Sequence, residues 1–193
     1  MRRRSGLWLG CGILALLALP GPRAWLEADM ERHMLMQFPL LIGAGLLVGH
    51  AVPERVRRHW AAWNHHGISG LLLVSCVLAF WMVPRALDEV LIVPWLEAVK
   101  FASLLLTGAA LAVSWPLAGL LVRGFFLGNL LPMMAVTGWL YAAAPVRLCN
   151  AYLTSQQQAV GQALITFSLL AACTWLAGFF RAGSRTYEAN TNR

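Results

Sequence analysis

The chain has 193 residues, of which 59% are hydrophobic and 12% charged, with a formal net charge of +7. A soluble domain carries about 25% charged residues, and no polar stretch here is long enough to form one, which excludes a water-soluble architecture. The arginines sit in short connectors and not in a basic stripe interleaved with aromatics, so the charge reads as membrane orientation and not as nucleic-acid binding.

A helix needs about 20 mostly apolar residues to cross the hydrocarbon core. The first candidate, 6–20, follows Arg2, Arg3 and Arg4. Basic-then-apolar also describes a cleaved signal over 1–24. Pro22, however, stands where a small residue should precede a cut after Ala24, so an uncleaved span is expected. The second span, 34–52, carries Gly43, Gly45 and Gly49 with Ala44, a surface that another helix can approach closely. The third, 67–83, ends Phe80-Trp81-Met82-Val83-Pro84, with Trp81 at the height of an aromatic belt. The fourth, 98–115, stops at Pro116, and Lys100 near its start is expected to snorkel to the interface. The fifth, 124–144, contains Pro132 as a mid-span breaker. The sixth, 158–180, precedes a flexible polar cytoplasmic tail over 182–193. The fold class is therefore an all-α bundle of about six spans in one domain, 1–181. The runs are long and lack the alternation of membrane strands.

Four cysteines occur, Cys11, Cys76, Cys149 and Cys173, with no CxxC pairing. All but Cys149 lie inside apolar runs, where cysteine behaves as a small hydrophobe. Neither a disulfide framework nor a thiolate metal site is expected.

With six spans, the arginine-bearing segments share one side: Arg2 to Arg4; Arg55, Arg57 and Arg58; Arg123; and Arg181, Arg185 and Arg193. Glu27, Asp29, Glu31, Asp88, Glu89 and Glu97 share the other. The positive-inside rule makes the arginine side cytoplasmic, so both chain ends face the cytoplasm.

Polar chemistry collects on the acidic side. Met30, His33, Met34 and Gln37 recur at i, i+3, i+4 and i+7 and share one helical face. Thioether plus imidazole suits a soft ion, copper(I) above all; the competing reading makes the methionines packing residues. Met82, at the same height, is the cross-helix candidate. His65 and His66 read as surface histidines, because adjacent residues diverge by about 100° on a helix. No nucleophile–base pair, phosphate loop, CxxCH or HExxH occurs, so an enzyme is not expected.

Met30-Glu31-Arg32-His33-Met34-Leu35, followed by Pro39-Leu40-Leu41, resembles the HMxQHxLL…PLL opening of CtaG-type cytochrome c oxidase assembly factors. Phe80-Trp81-Met82-Val83-Pro84, Leu87-Asp88, Leu104-Leu105-Leu106-Thr107-Gly108 and Trp115-Pro116 resemble that family's LWHxPxLYD…LLTGLLFWWP stretch, and Gln156-Gln157 with Gly161 its DQQxxG element. The chain departs from the pattern at Asp29 and Met82, which stand where the family has histidines, and at Arg32 and Ser155. The resemblance implies an assembly factor for a haem-copper terminal oxidase in a bacterial inner membrane, with copper handled at the outer face. The metal candidates are then His33, Met30, Met34, Met82, Asp29 and Asp88. The implied partners are membrane lipid and terminal oxidase subunits, with self-association left open. The alternatives are a metal-free accessory subunit and a small transporter, which would want buried charge at mid-membrane or broken helices.

Overall fold

The computed structural model describes residues 2–191, with side chains from 4 to 181. Its elements run α1 (Arg2–Ala18), α2 (Pro20–Glu27), a π turn (Arg32–Gln37) continuing into α3 (Phe38–Ala51), α4 (Glu54–Trp63), a 3-10 turn (His65–Gly67), α5 (Ile68–Trp81), α6 (Pro84–Ile92), α7 (Pro94–Leu117), α8 (Leu120–Ala143) and α9 (Thr154–Thr191). No strand occurs among the described residues. Four helical segments are long and apolar enough to cross a membrane: Arg32–Ala51, Pro94–Leu117, Leu120–Ala143 and Thr154–Arg181. Two bent pairs, α1 with α2 and α4 with α5, raise the number to six if each is one span. The segment 182–191 continues α9, and residues 192–193 of the expected tail lie outside the described residues.

The bends have sequence causes. A residue before proline is pushed out of the α region. Leu19, before Pro20, is extended (φ −64°, ψ 140°), and α2 turns 72° away from α1. Between α4 and α5 the turn is 73°. There His66 and Gly67 both take positive φ, 54° and 74°. Pro132, expected as a breaker, lies inside an uninterrupted α8.

At the centre α3 and α7 run parallel, and glycines let their backbones meet. A Cβ on Gly45 would lie 2.1 Å from the Leu105 carbonyl oxygen, and one on Gly108 would lie 2.0 Å from that of Ile42. Gly49 meets Ala109 in the same way, whereas Gly43 faces open space. Helix α1 packs on α3, and α5 on α7. A second close crossing pairs α8 with α9 at Gly138 and Gly161. Large apolar side chains such as Leu121, Phe125, Phe167 and Leu170 stay exposed, as a lipid-facing surface requires. The end at which α3 and α7 begin is called the upper end below.

Candidate functional site: a buried charged centre at the upper end

Four segments deliver side chains to one point. The bend at Leu19 lays α2 across the upper end, with Arg23 and Glu27 one turn apart. The π turn supplies His33 and Gln37, both buried. Its position has a reason in Pro39, which has no N–H for an α-type bond back to Leu35, and the wider turn ends just before it. Helix α7 supplies Lys100, and the connector between α8 and α9 supplies Tyr152.

Lys100 is 0% exposed, so it does not snorkel as expected. Its ammonium has three donors, and three acceptors meet them. Glu27 Oε1 lies at 2.5 Å, Gln37 Oε1 at 3.0 Å and His33 Nε2 at 3.2 Å. His33 Nδ1 lies 2.6 Å from the Tyr152 hydroxyl, which donates to the Glu27 carbonyl oxygen at 3.1 Å. One tautomer satisfies every partner: Nε2 accepts from Lys100 and Nδ1–H donates to Tyr152. Gln37 Nε2 closes the ring on Glu27 Oε1 at 3.2 Å. Arg23 extends it outward, 3.0 Å from Glu97 and 3.9 Å from Glu27. Two cations and two carboxylates thus alternate. That arrangement offsets the several kcal/mol that burying the Lys100 ammonium costs.

The surrounding loop is fixed by the polar residues of the sequence motifs. Asp88 accepts from the backbone N–H groups of Asn150 and Ala151 at 2.7 and 3.0 Å. Gln157 accepts from Leu148 N at 2.8 Å and donates to the Tyr141 carbonyl at 3.1 Å. Gln156 Nε2 reaches Asp29 Oδ2 at 3.1 Å. Cys149 is buried beneath this loop, and burial, reinforced by the Asp88 carboxylate, pushes its thiol up to about 12. Burial, then the Glu27 charge, likewise raises the Tyr152 phenol. Both shifts favour the neutral forms of these groups.

The six metal candidates are distributed as follows. Met30, His33 and Met34 are buried on one side of their helix. Met82 contributes its backbone carbonyl, which accepts from Tyr141 Oη at 2.7 Å, while its neighbour Trp81 enters the core and donates to Ser103 Oγ at 2.9 Å. Trp81 is therefore a core residue and not part of an aromatic belt. Asp29 accepts from Glu31 N at 2.9 Å as well as from Gln156. Asp88 holds the loop. No group of three or more His, Cys, Asp or Glu that could hold a metal occurs among the described residues. His33 has both ring nitrogens engaged, one of them by an ammonium. In this arrangement neither ring nitrogen is open to a metal ion.

Sequence reasoning missed Glu27 and Arg23 as members of the centre. The available signal was Lys100 itself, a cation in the second turn of an apolar helix that needs a counter-ion, together with the i, i+4 pair Arg23 and Glu27 just after two prolines.

Fold and site together define a multi-pass helical membrane protein with a charged centre buried near one end of its bundle. No family model matches the chain, and no curated protein or solved structure matches it.

Proposed function

We propose that the chain is a membrane assembly factor for a haem-copper terminal oxidase, crossing a bacterial inner membrane six times with both ends cytoplasmic. The observation that carries this reading is the convergence of the resembling elements. Residues spread from 29 to 157 meet at the upper end through the contacts of His33, Asp29 with Gln156, Asp88 with the 150–151 backbone, and Gln157. The arginine distribution makes that end the outer one, where a periplasmic oxidase segment would be met. A reporter fused to the C-terminus should be active only as a cytoplasmic fusion; periplasmic activity would overturn the orientation.

Within this reading, a metal-free role as scaffold or accessory subunit is favoured over copper delivery, because Lys100 Nζ lies 3.2 Å from His33 Nε2. A cation there opposes a second cation. Copper(I) titration with a competing chelator, run on wild type, Met30→Leu/Met34→Leu and His33→Ala in one detergent, separates the two. Equal weak binding in all three supports the metal-free role, and affinity lost on His33→Ala supports copper handling. The transporter reading has less behind it. Lys100 lies six residues into α7, roughly 9 Å from its start, so the charge sits near one face and not at mid-span. The assembly reading itself is tested by oxidase content. Membranes lacking the chain should lose spectroscopically assembled haem-copper oxidase and regain it on complementation; unchanged content would overturn the proposal.

A further inference from the structure

A second region stands apart from the charged centre, at the opposite end of the bundle. Helix α4 buries none of its residues. Val56, Trp60 and Trp63 recur at i, i+4 and i+7 and share one face. Arg55, Arg57 and Arg58 occupy the remaining surface. Against these three arginines the helix has one carboxylate, Glu54, which pairs with both Arg57 and Arg58. A helix with an aromatic apolar face and arginines elsewhere lies in the interface between headgroups and acyl chains.

Beside α4 opens a groove of about 440 Å³. Its walls are aliphatic, with Val48 from α3, Val52 just after it, and Leu105 and Leu106 from α7; Arg57 stands at its rim beside Trp60 and is its only charged residue. Along α7 the groove runs from Ala102 to Val113. That is eleven steps of about 1.5 Å, roughly 16 Å, about half of a hydrocarbon core some 30 Å thick. The groove is therefore one leaflet deep and ends at a guanidinium.

We propose that this groove holds an acyl chain of one anionic phospholipid, whose phosphate is met by Arg57 and the neighbouring α4 arginines. The planar guanidinium fork matches phosphate oxygens in pairs, and the apolar length matches a leaflet. A contrast within the same molecule sharpens the assignment. The groove at the upper end, about 550 Å³, is bounded by Arg23 and Glu97, which pair with each other at 3.0 Å. Its rim is neutralised and has no preference for an anion. At the α4 groove Arg57 shares Glu54 with Arg58, and helix α4 as a whole carries three arginines against that one carboxylate, so the side of the groove it forms stays net positive. This inference stands independently of the oxidase reading.

The test is native mass spectrometry of the full-length protein in detergent. Equimolar phosphatidylglycerol and phosphatidylcholine with identical acyl chains are added together. Wild type should retain phosphatidylglycerol roughly tenfold better, the direction that clustered arginines give toward anionic headgroups. Arg55→Gln/Arg57→Gln/Arg58→Gln should abolish the preference while leaving phosphatidylcholine retention unchanged. Leu106→Trp, which fills the groove from a partly exposed position, should lower retention of both lipids. Equal retention of the two lipids by wild type would overturn the proposal. So would a preference that survives the triple substitution, or retention unaffected by Leu106→Trp.

Discussion

Helix α7 carries a fully buried polar joint near each end, and the two joints are built on different principles. At the upper joint Lys100 is ringed by Glu27, Gln37 and His33, with Tyr152 and Arg23 behind them. At the lower joint Ser114 accepts from Asn64 Nδ2 at 2.8 Å, and Asn64 Oδ1 accepts from Gly70 N at 2.9 Å. The two lie 14 residues apart on α7, roughly 21 Å. The lower joint is neutral and is completed by two hydrogen bonds within neighbouring elements, which pins the α4–α5 turn. The upper joint is charged and needs residues from four separate segments. A neutral pair can fix a turn at little cost, whereas ionisable groups inside a membrane span are expensive and mark function. We therefore read the lower joint as structural and the upper one as the working end.

Substitutions that break this comparison fall in a definite order. The largest effect belongs to the seam that holds both joints in register. Gly45→Leu would drive a side chain into the Leu105 carbonyl, and folded, monodisperse protein should be lost on size-exclusion chromatography in detergent. Lys100→Leu comes next. It takes from the half-buried Glu27 its closest partner and leaves it only Gln37 and Arg23, a loss of about 3 kcal/mol, the low end for a broken buried pair, seen as a marked drop in unfolding midpoint. Adding Glu27→Gln to it should recover part of the loss, because the uncompensated charge is gone. At the lower joint Asn64→Ala orphans the Gly70 N–H and should cost about 1–3 kcal/mol, with no charge left to rescue. Last comes Tyr152→Phe, which takes the acceptor from the buried His33 Nδ1–H and the donor from the Glu27 carbonyl and should cost about 1 kcal/mol, the low end for an orphaned buried donor. If Asn64→Ala proved costlier than Lys100→Leu in the same detergent, the ranking of the joints would be inverted.

Much of the frame was legible from hydropathy alone. The long apolar runs became α3, α5, α7, α8 and α9, and the face carrying Met30, His33, Met34 and Gln37 is buried as its spacing required. Gly45 and Gly49 proved to be contact glycines, whereas Gly43, on another side of the same helix, touches nothing within 4 Å. Periodicity identifies a buried face but not what it meets. Lys100 finds Glu27 across 73 positions of sequence, a pairing created by the bend at Leu19 and the π turn before Pro39. Neither changes the local hydropathy. Helices α4 and α6 escaped notice because they are short and lie in connectors, where no apolar run announces them. Trp81 and Met82 are adjacent in sequence, so a one-residue difference in facing decided which of them entered the core.

The central claim, that the charged centre carries the function and the neutral joint only the fold, has one direct measurement. Lys100→Gln/Glu27→Gln and Asn64→Ala are each used to complement membranes lacking the chain, and assembled haem-copper oxidase is quantified spectroscopically per folded copy of the variant. The account predicts that the neutralised centre fails to restore the oxidase while Asn64→Ala restores it in proportion to its folded amount. Equal restoration by the two variants would contradict it.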